Sequence, residues 1–346
     1  MSQMPGRPTP RAASPASGYV SCLSRSGFHK VAYVEWGNRN AKRVAICVHG
    51  LTRQGRDFDS LAAALVRRGW RVICPDLVGR GHSDWLIEPE DYGVPQYASD
   101  MVTLLARAGV AEVDWIGTSL GGLIGMHLAA QAQAPIRRLV INDIGPFLPW
   151  QALSRIGSYL RELPRSLPSW AAAEAHFLEV LAPYGALSDA EWEHLVKYSV
   201  EREPSGRYRM LVDPAISNAF RPVMFYNVSL WHEWDAIRCP VLLLRGARSD
   251  LLSRETAKTM TERGPKAALV EFLDCGHAPA LMDRRQIDPV IGWLTKEATV
   301  PGEEGLMPAR PGTDASRHRE AGVAGRGNLL VRAHDRTDAT RPTSER

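Results

Sequence analysis

No apolar run in this sequence approaches the roughly 20 residues that a membrane-spanning helix needs. The first 18 residues hold arginine, serine and proline but neither an apolar core nor an acid. That excludes an ordinary secretory signal and leaves a disordered leader, 1–18, as the expectation. Cysteine is sparse: Cys22, Cys47, Cys74, Cys239 and Cys275 are odd in number and form no C-x-x-C pair. A disulfide framework is not indicated, and reduced thiols in a cytoplasmic protein fit best. Excess charge is small as well. A net +4 over 346 residues, with much of the arginine near the ends, gives no reason to expect a nucleic-acid groove. No His, Cys, Asp or Glu cluster has metal-ligand spacing, so no metal is expected. What is present, with 45% hydrophobic residues, suffices to bury one large α/β core and carry an insertion.

The most informative stretch is V-D-W-I-G-T-S-L-G-G-L-I-G-M at 113–126. It places G-T-S-L-G between a short apolar run and a segment of small, helix-forming residues, the pattern of a strand, a sharp turn and a helix. Such a turn strains the middle residue and leaves room only for glycine on either side, so the Ser119 hydroxyl is lifted clear at the tip of a sheet. The helix N-terminus behind it favours developing negative charge. An ordinary capped turn would also tolerate small residues, and the partners elsewhere in the chain favour the catalytic reading.

Strand and helix patterns alternate on both sides of this motif. Residues 19–25 and 30–36 read as an opening hairpin, and 43–49, 70–75, 113–117, 136–141, 240–244 and 268–272 as further strands, the interior ones continuously apolar. Helical patterns run over 58–68, with Asp57 as N-cap candidate, before Gly109, after the serine turn, from Arg254, and over 287–294. The expected architecture is α/β: a mostly parallel eight-stranded sheet with helices on both faces. Residues 19–146 and 236–298 form that core. Between them, 147–235 shows amphipathic helices and no convincing strand, with Ser188 and Glu191 forming a capping box. It reads as a helical cap, rich in aromatics from Trp150 to Trp234, some of which line a pocket. The tail, 299–346, is poor in large apolar groups and reads as disordered.

Ser119, Asp250 and His277 occur in the order nucleophile, acid, base, each after an expected strand of one parallel sheet, where catalytic groups gather at the carboxyl ends. A serine hydroxyl needs a base to take its proton; His277 fills that role, and Asp250 would orient its ring. The backbone N–H groups of Leu120 and Leu51 are the candidates for an oxyanion hole. His49 reads as part of the turn in its own loop. His82 and Trp85 are placed at the pocket rim.

These pieces together, V-H-G-L-T-R at 48–53, P-D-L-V-G-R-G-H-S-D at 75–84, G-T-S-L-G-G at 117–122, R-G-A-R-S-D at 245–250 and C-G-H-A-P at 275–279, resemble the α/β-hydrolase fold family, in its capped esterase, lactonase and carbon-carbon hydrolase type. The resemblance covers about residues 20–297. It implies a serine hydrolase without metal or organic cofactor, cleaving a carboxylic ester or related acyl bond of a partly apolar small molecule through an acyl-enzyme on Ser119. Lactones, carbon-carbon bonds and, further off, cofactor-independent oxygenase or perhydrolase chemistry are the alternatives. The serine at the turn argues against the dehalogenase and epoxide-hydrolase relatives, which carry aspartate there. Leu51-Thr52-Arg53 departs from the glycine-rich loop of the carbon-carbon hydrolases; Arg53 is a candidate contact for a substrate carboxylate, or else a solvated residue or a tie to the cap. Some relatives place the acid after the preceding strand, which makes Asp143 the alternative to Asp250.

Overall fold

A computed structural model of the chain describes residues 14–220 and 226–296. The expected leader up to residue 13, Phe225 and the tail 299–346 lie outside the described residues, while residues 16–18, expected in that disordered leader, pair with 33–35 as the start of the first strand.

The chain opens with a hairpin, β1 (Ala16–Ser24) and β2 (Gly27–Trp36), and continues through β3 (Arg43–Val48), α1 (Asp59–Val66), β4 (Trp70–Pro75), α2 (Val94–Ala108), β5 (Val113–Thr118), α3 (Leu120–Ala129) and β6 (Ile136–Asn142). After an insert it resumes with β12 (Val241–Gly246), α8 (Arg254–Glu262), β13 (Ala268–Phe272) and α9 (Arg284–Thr295). These eight strands form one sheet in the order β1-β2-β4-β3-β5-β6-β12-β13, antiparallel at β1-β2 and β2-β4 and parallel from β4 onward. The apolar runs at β3, β5, β6 and β12 explain why: strands buried on both faces have no polar side to show to water. Along β3, Val44, Ile46 and Val48 pack on the face covered by α2, α3 and α8, while Ala45 and Cys47 face α1 and α9.

Between β6 and β12 the chain builds β7 (Phe147–Leu148), α4 (Trp150–Glu162), β8 (Ser166–Leu167), α5 (Trp170–Val180), α6 (Asp189–Lys197), β9 (Val200–Arg202), β10 (Tyr208–Met210), β11 (Val228–Ser229) and α7 (Trp231–Ala236). The capping box is present: Glu191 N–H donates to Ser188 Oγ while the Glu191 carboxylate accepts from the Ser188 backbone. The insert is not all helical. A three-stranded sheet, β8-β10-β9, and the pair β11-β7 bind its helices together. With strands of two or three residues, no period-2 pattern exists for sequence to show, and Pro204 lies in the turn between β9 and β10. Asp57 does not cap α1 either: its carboxylate is taken by Arg53 and Gln54, and a 3₁₀ turn over Gly55–Phe58 leads into the helix.

Candidate active site

The serine turn follows from steric exclusion. A Cβ on Gly117 would sit 2.2 Å from the Gly121 carbonyl oxygen, and one on Gly121 would sit 2.0 Å from that of Val48, so neither position accepts a side chain. Held between them, Ser119 adopts φ 51° and ψ −113°, a conformation that costs a non-glycine residue of order 1–3 kcal/mol. Surrounding bonds enforce it. Ser119 N–H donates to Asn142 O on β6, the Ser119 carbonyl accepts from Gly122 and Leu123, and the Trp115 indole donates to Gly121 O.

His277, in the loop after β13, meets that hydroxyl with Nε2 at 3.0 Å from Ser119 Oγ. Its Nδ1 lies 2.8 Å from Asp143 Oδ2. The acid beside the histidine is therefore Asp143, not Asp250. Asp143 follows β6 directly with φ 59°, which turns its side chain beneath the end of β12. There Gly246 N–H donates to Oδ1 and the imidazole meets Oδ2. The side chain is 0% exposed, so both oxygens are fully committed inside the protein. Asp250 stands four residues past β12, in a turn closed by Leu251 and Leu252 N–H groups on Ser249 Oγ. That turn carries Asp250 outward, 55% exposed, onto Arg155 of α4, whose guanidinium lies 2.6 Å away. Both aspartates satisfy the order of residues along the chain, and only side-chain direction separates them.

The loop after β3 comes alongside the serine: a Cβ on Gly50 would lie 3.6 Å from Ser119 Cβ. Leu51 follows it on the cavity wall, its carbonyl held by the fully buried Arg80 guanidinium. Leu120 is the first residue of α3, a position whose N–H has no partner within the helix. His49 serves the turn, as expected. Leu77 N–H donates to Nε2 at 2.9 Å, and Nδ1 donates to Gly50 O; burial pushes its pKa down to about 3, which keeps the ring neutral. Asp76 accepts from Gly55 and His82 N–H groups and fastens the 76–83 loop to the same region. Arg53 lines the cavity but is occupied: Nε and Nη2 donate to the two oxygens of Asp57 at 2.7 and 2.8 Å, and the side chain is 4% exposed.

A cavity of about 510 Å³ opens over Ser119 and His277. The core supplies Leu51 and Thr118, and the insert supplies Ile156, Tyr159, Leu181 and Tyr184. His82 and Trp85 are not on its wall. Sequence singled out neither Arg155, an unremarkable exposed helix position, nor Asn142, whose amide ties Thr118 to the Pro279 carbonyl and so fastens the ends of β5 and β6 to the histidine loop. Cys275 lies two residues from His277, but burial pushes its thiol up to about 12, which leaves it a poor nucleophile. One trio that spacing did not reveal, Cys22, His29 and Asp100, brings its donor atoms within 4.8 Å of one another where β1, β2 and α2 meet. His29 Nε2 and Asp100 Oδ1 are hydrogen-bonded to each other at 3.0 Å, and none of these elements reaches the cavity.

Comparison with known proteins agrees with the fold. A model of the alpha/beta hydrolase fold matches residues 44–282. The 3-hydroxybutyrate-oligomer hydrolase of Cupriavidus necator is 44% identical over 283 residues, spanning 80% of this chain and 96% of that protein. Among solved structures, an alpha/beta hydrolase from Novosphingobium aromaticivorans superposes with a TM-score of 0.72 at 35% identity, covering 82% of this chain and 98% of its own. A Rickettsia typhi protein provisionally assigned as a hydrolase superposes at 0.76 with 32% identity, covering 83% and 100%.

Proposed function

The chain belongs to the α/β-hydrolase fold family and is a hydrolase; on that premise we propose that it cleaves carboxylic esters through an acyl-enzyme on Ser119, with short oligoesters of a hydroxy acid as its substrate class. The observation that carries the mechanism is the continuous run of hydrogen-bond distances Ser119 Oγ, His277 Nε2, His277 Nδ1, Asp143 Oδ2, at 3.0 and 2.8 Å. The substrate class comes from the name of the 44%-identical relative, which this chain matches over nearly its full length.

In this reading His277 Nε2 takes the serine proton as Oγ bonds to the ester carbonyl carbon, and the carbonyl electron pair moves onto oxygen. The Leu51 and Leu120 N–H groups receive that oxyanion; donors so placed are typically worth about 3 kcal/mol each. Asp143 holds the ring with Nδ1 protonated and offsets the positive charge of the imidazolium. Collapse breaks the bond to the leaving alkoxide, which takes the proton from Nε2. Water then attacks the acyl-enzyme, gives its proton to the same nitrogen and releases the acid with Ser119 restored. The insert acts as a cap over the cavity, and its apolar wall suits the aliphatic part of the acyl group. The five free thiols, four of them buried, support placement in a reducing cytoplasm.

The test is to quench the enzyme with acid during turnover of p-nitrophenyl butyrate and weigh the intact protein. One butyryl group on the peptide containing Ser119, absent from Ser119→Ala, is expected. Wild-type turnover by Ser119→Ala would overturn the proposal.

A further inference from the structure

We infer that Arg155 selects substrates bearing a free carboxylate, and that Asp250 is the internal carboxylate it holds until such a substrate arrives. This deepens the ester-hydrolase reading and rests on it. Among the described residues, three arginines line the cavity: Arg53, Arg155 and Arg248. Arg53 is largely committed within the protein: Asp57 takes two of its nitrogens, and the third, Nη1, is buried without a hydrogen-bond partner, so its charge is already offset by the Asp57 carboxylate. Arg248 spends Nη2 on the Asp274 carbonyl. Arg155 differs from both. It reaches over the cavity from α4, it and Asp250 are each 55% exposed, and Nη1 meets Asp250 Oδ2 at 2.6 Å.

An ion pair so open to water is held weakly, and one carboxylate exchanges for another on the same guanidinium at little cost. The planar fork of arginine can take both oxygens of an incoming carboxylate. Arg248 stands two residues before Asp250 on the same wall and adds positive potential there. Among the described residues Glu179 is the other exposed acid of the wall and belongs to α5, so an anion is favoured on the α4 side. A linear hydroxy-acid oligoester carries the matching group, a free carboxylate at one end. The pairing also accounts for Asp250: Asp143 is the carboxylate on the imidazole, and Asp250 stays on the cavity wall paired with Arg155.

The experiment compares kcat/KM for the linear dimer of 3-hydroxybutyrate with that for its methyl ester, in wild type, Arg155→Gln, Arg155→Lys and Asp250→Asn. The readout is the ratio of acid to methyl ester. Arg155→Gln is expected to lower the ratio about tenfold, chiefly through KM of the acid, and Arg155→Lys to lower it less. Asp250→Asn removes the internal competitor and is expected to raise the ratio. An unchanged ratio in Arg155→Gln overturns this inference and leaves the ester-hydrolase reading standing, as does a fall in the ratio with Asp250→Asn. A wild type inert on both compounds overturns the two together.

Discussion

Ser119 keeps a positive φ because Gly117 and Gly121, two residues to either side, bring no side chain into the turn. Gly121→Ala puts a methyl group where the Val48 carbonyl stands, so the elbow must open or the strand must move. We expect a loss of about 2–4 kcal/mol in unfolding free energy and a fall of several degrees in Tm, read by calorimetry. His49 makes a second prediction at this scale. Its pKa in the fold is about 3 against an ordinary 6.5, because the ring is buried and Nε2 must accept from Leu77 N–H. Below pH 6.5 the unfolded chain takes up a proton that the fold refuses. The stability is therefore complete above pH 6.5 and is lost as pH falls toward 3, by about 2 kcal/mol between pH 6.5 and 5. Urea midpoints across that range should show the slope, and His49→Gln should flatten it. Residue identity was legible in the sequence wherever sterics or order along the chain determined it, as for Ser119 and His277. Between Asp143 and Asp250 neither criterion discriminates, since both follow strands and both fall between serine and histidine. The left-handed φ of Asp143 and the Ser249 turn decide it, and no pattern of residue types announces either.

Among the elements, the eight strands of the main sheet could be read because burial on both faces leaves long apolar runs. The small sheet of the insert could not, its strands being too short to alternate. The loop after β3 shows how an element is held for chemistry. Arg80, fully buried, donates to the carbonyls of Leu51 and Val78 and to the Tyr97 hydroxyl, joining the loop to α2. Arg80→Met should release the Leu51 peptide, whose N–H is the proposed oxyanion donor. The expected outcome is a fall in kcat of about 10²-fold with little change in KM, together with a loss of about 3 kcal/mol or more in stability. A variant equally destabilised but fully active would separate the loop from the oxyanion.

At the scale of the whole molecule, the sheet order places β5, β6, β12 and β13 side by side, so residues 119, 143 and 277 meet although they are far apart in sequence. The crossing from β6 to the insert and back to β12 then walls the cavity above that edge with side chains of 147–236. Composition indicates an apolar, aromatic insert, and only the folded chain shows that Arg155 and Asp250 face each other over the cavity. The central claim is that the acid of the triad is the one after β6. The most direct measurement is kcat on a neutral ester, p-nitrophenyl butyrate, for Asp143→Asn and Asp250→Asn side by side. Asp143→Asn should fall by about 10³–10⁴-fold, since the imidazole loses the partner that fixes its tautomer, while Asp250→Asn should stay within a few-fold of wild type. The reverse pattern would contradict the account.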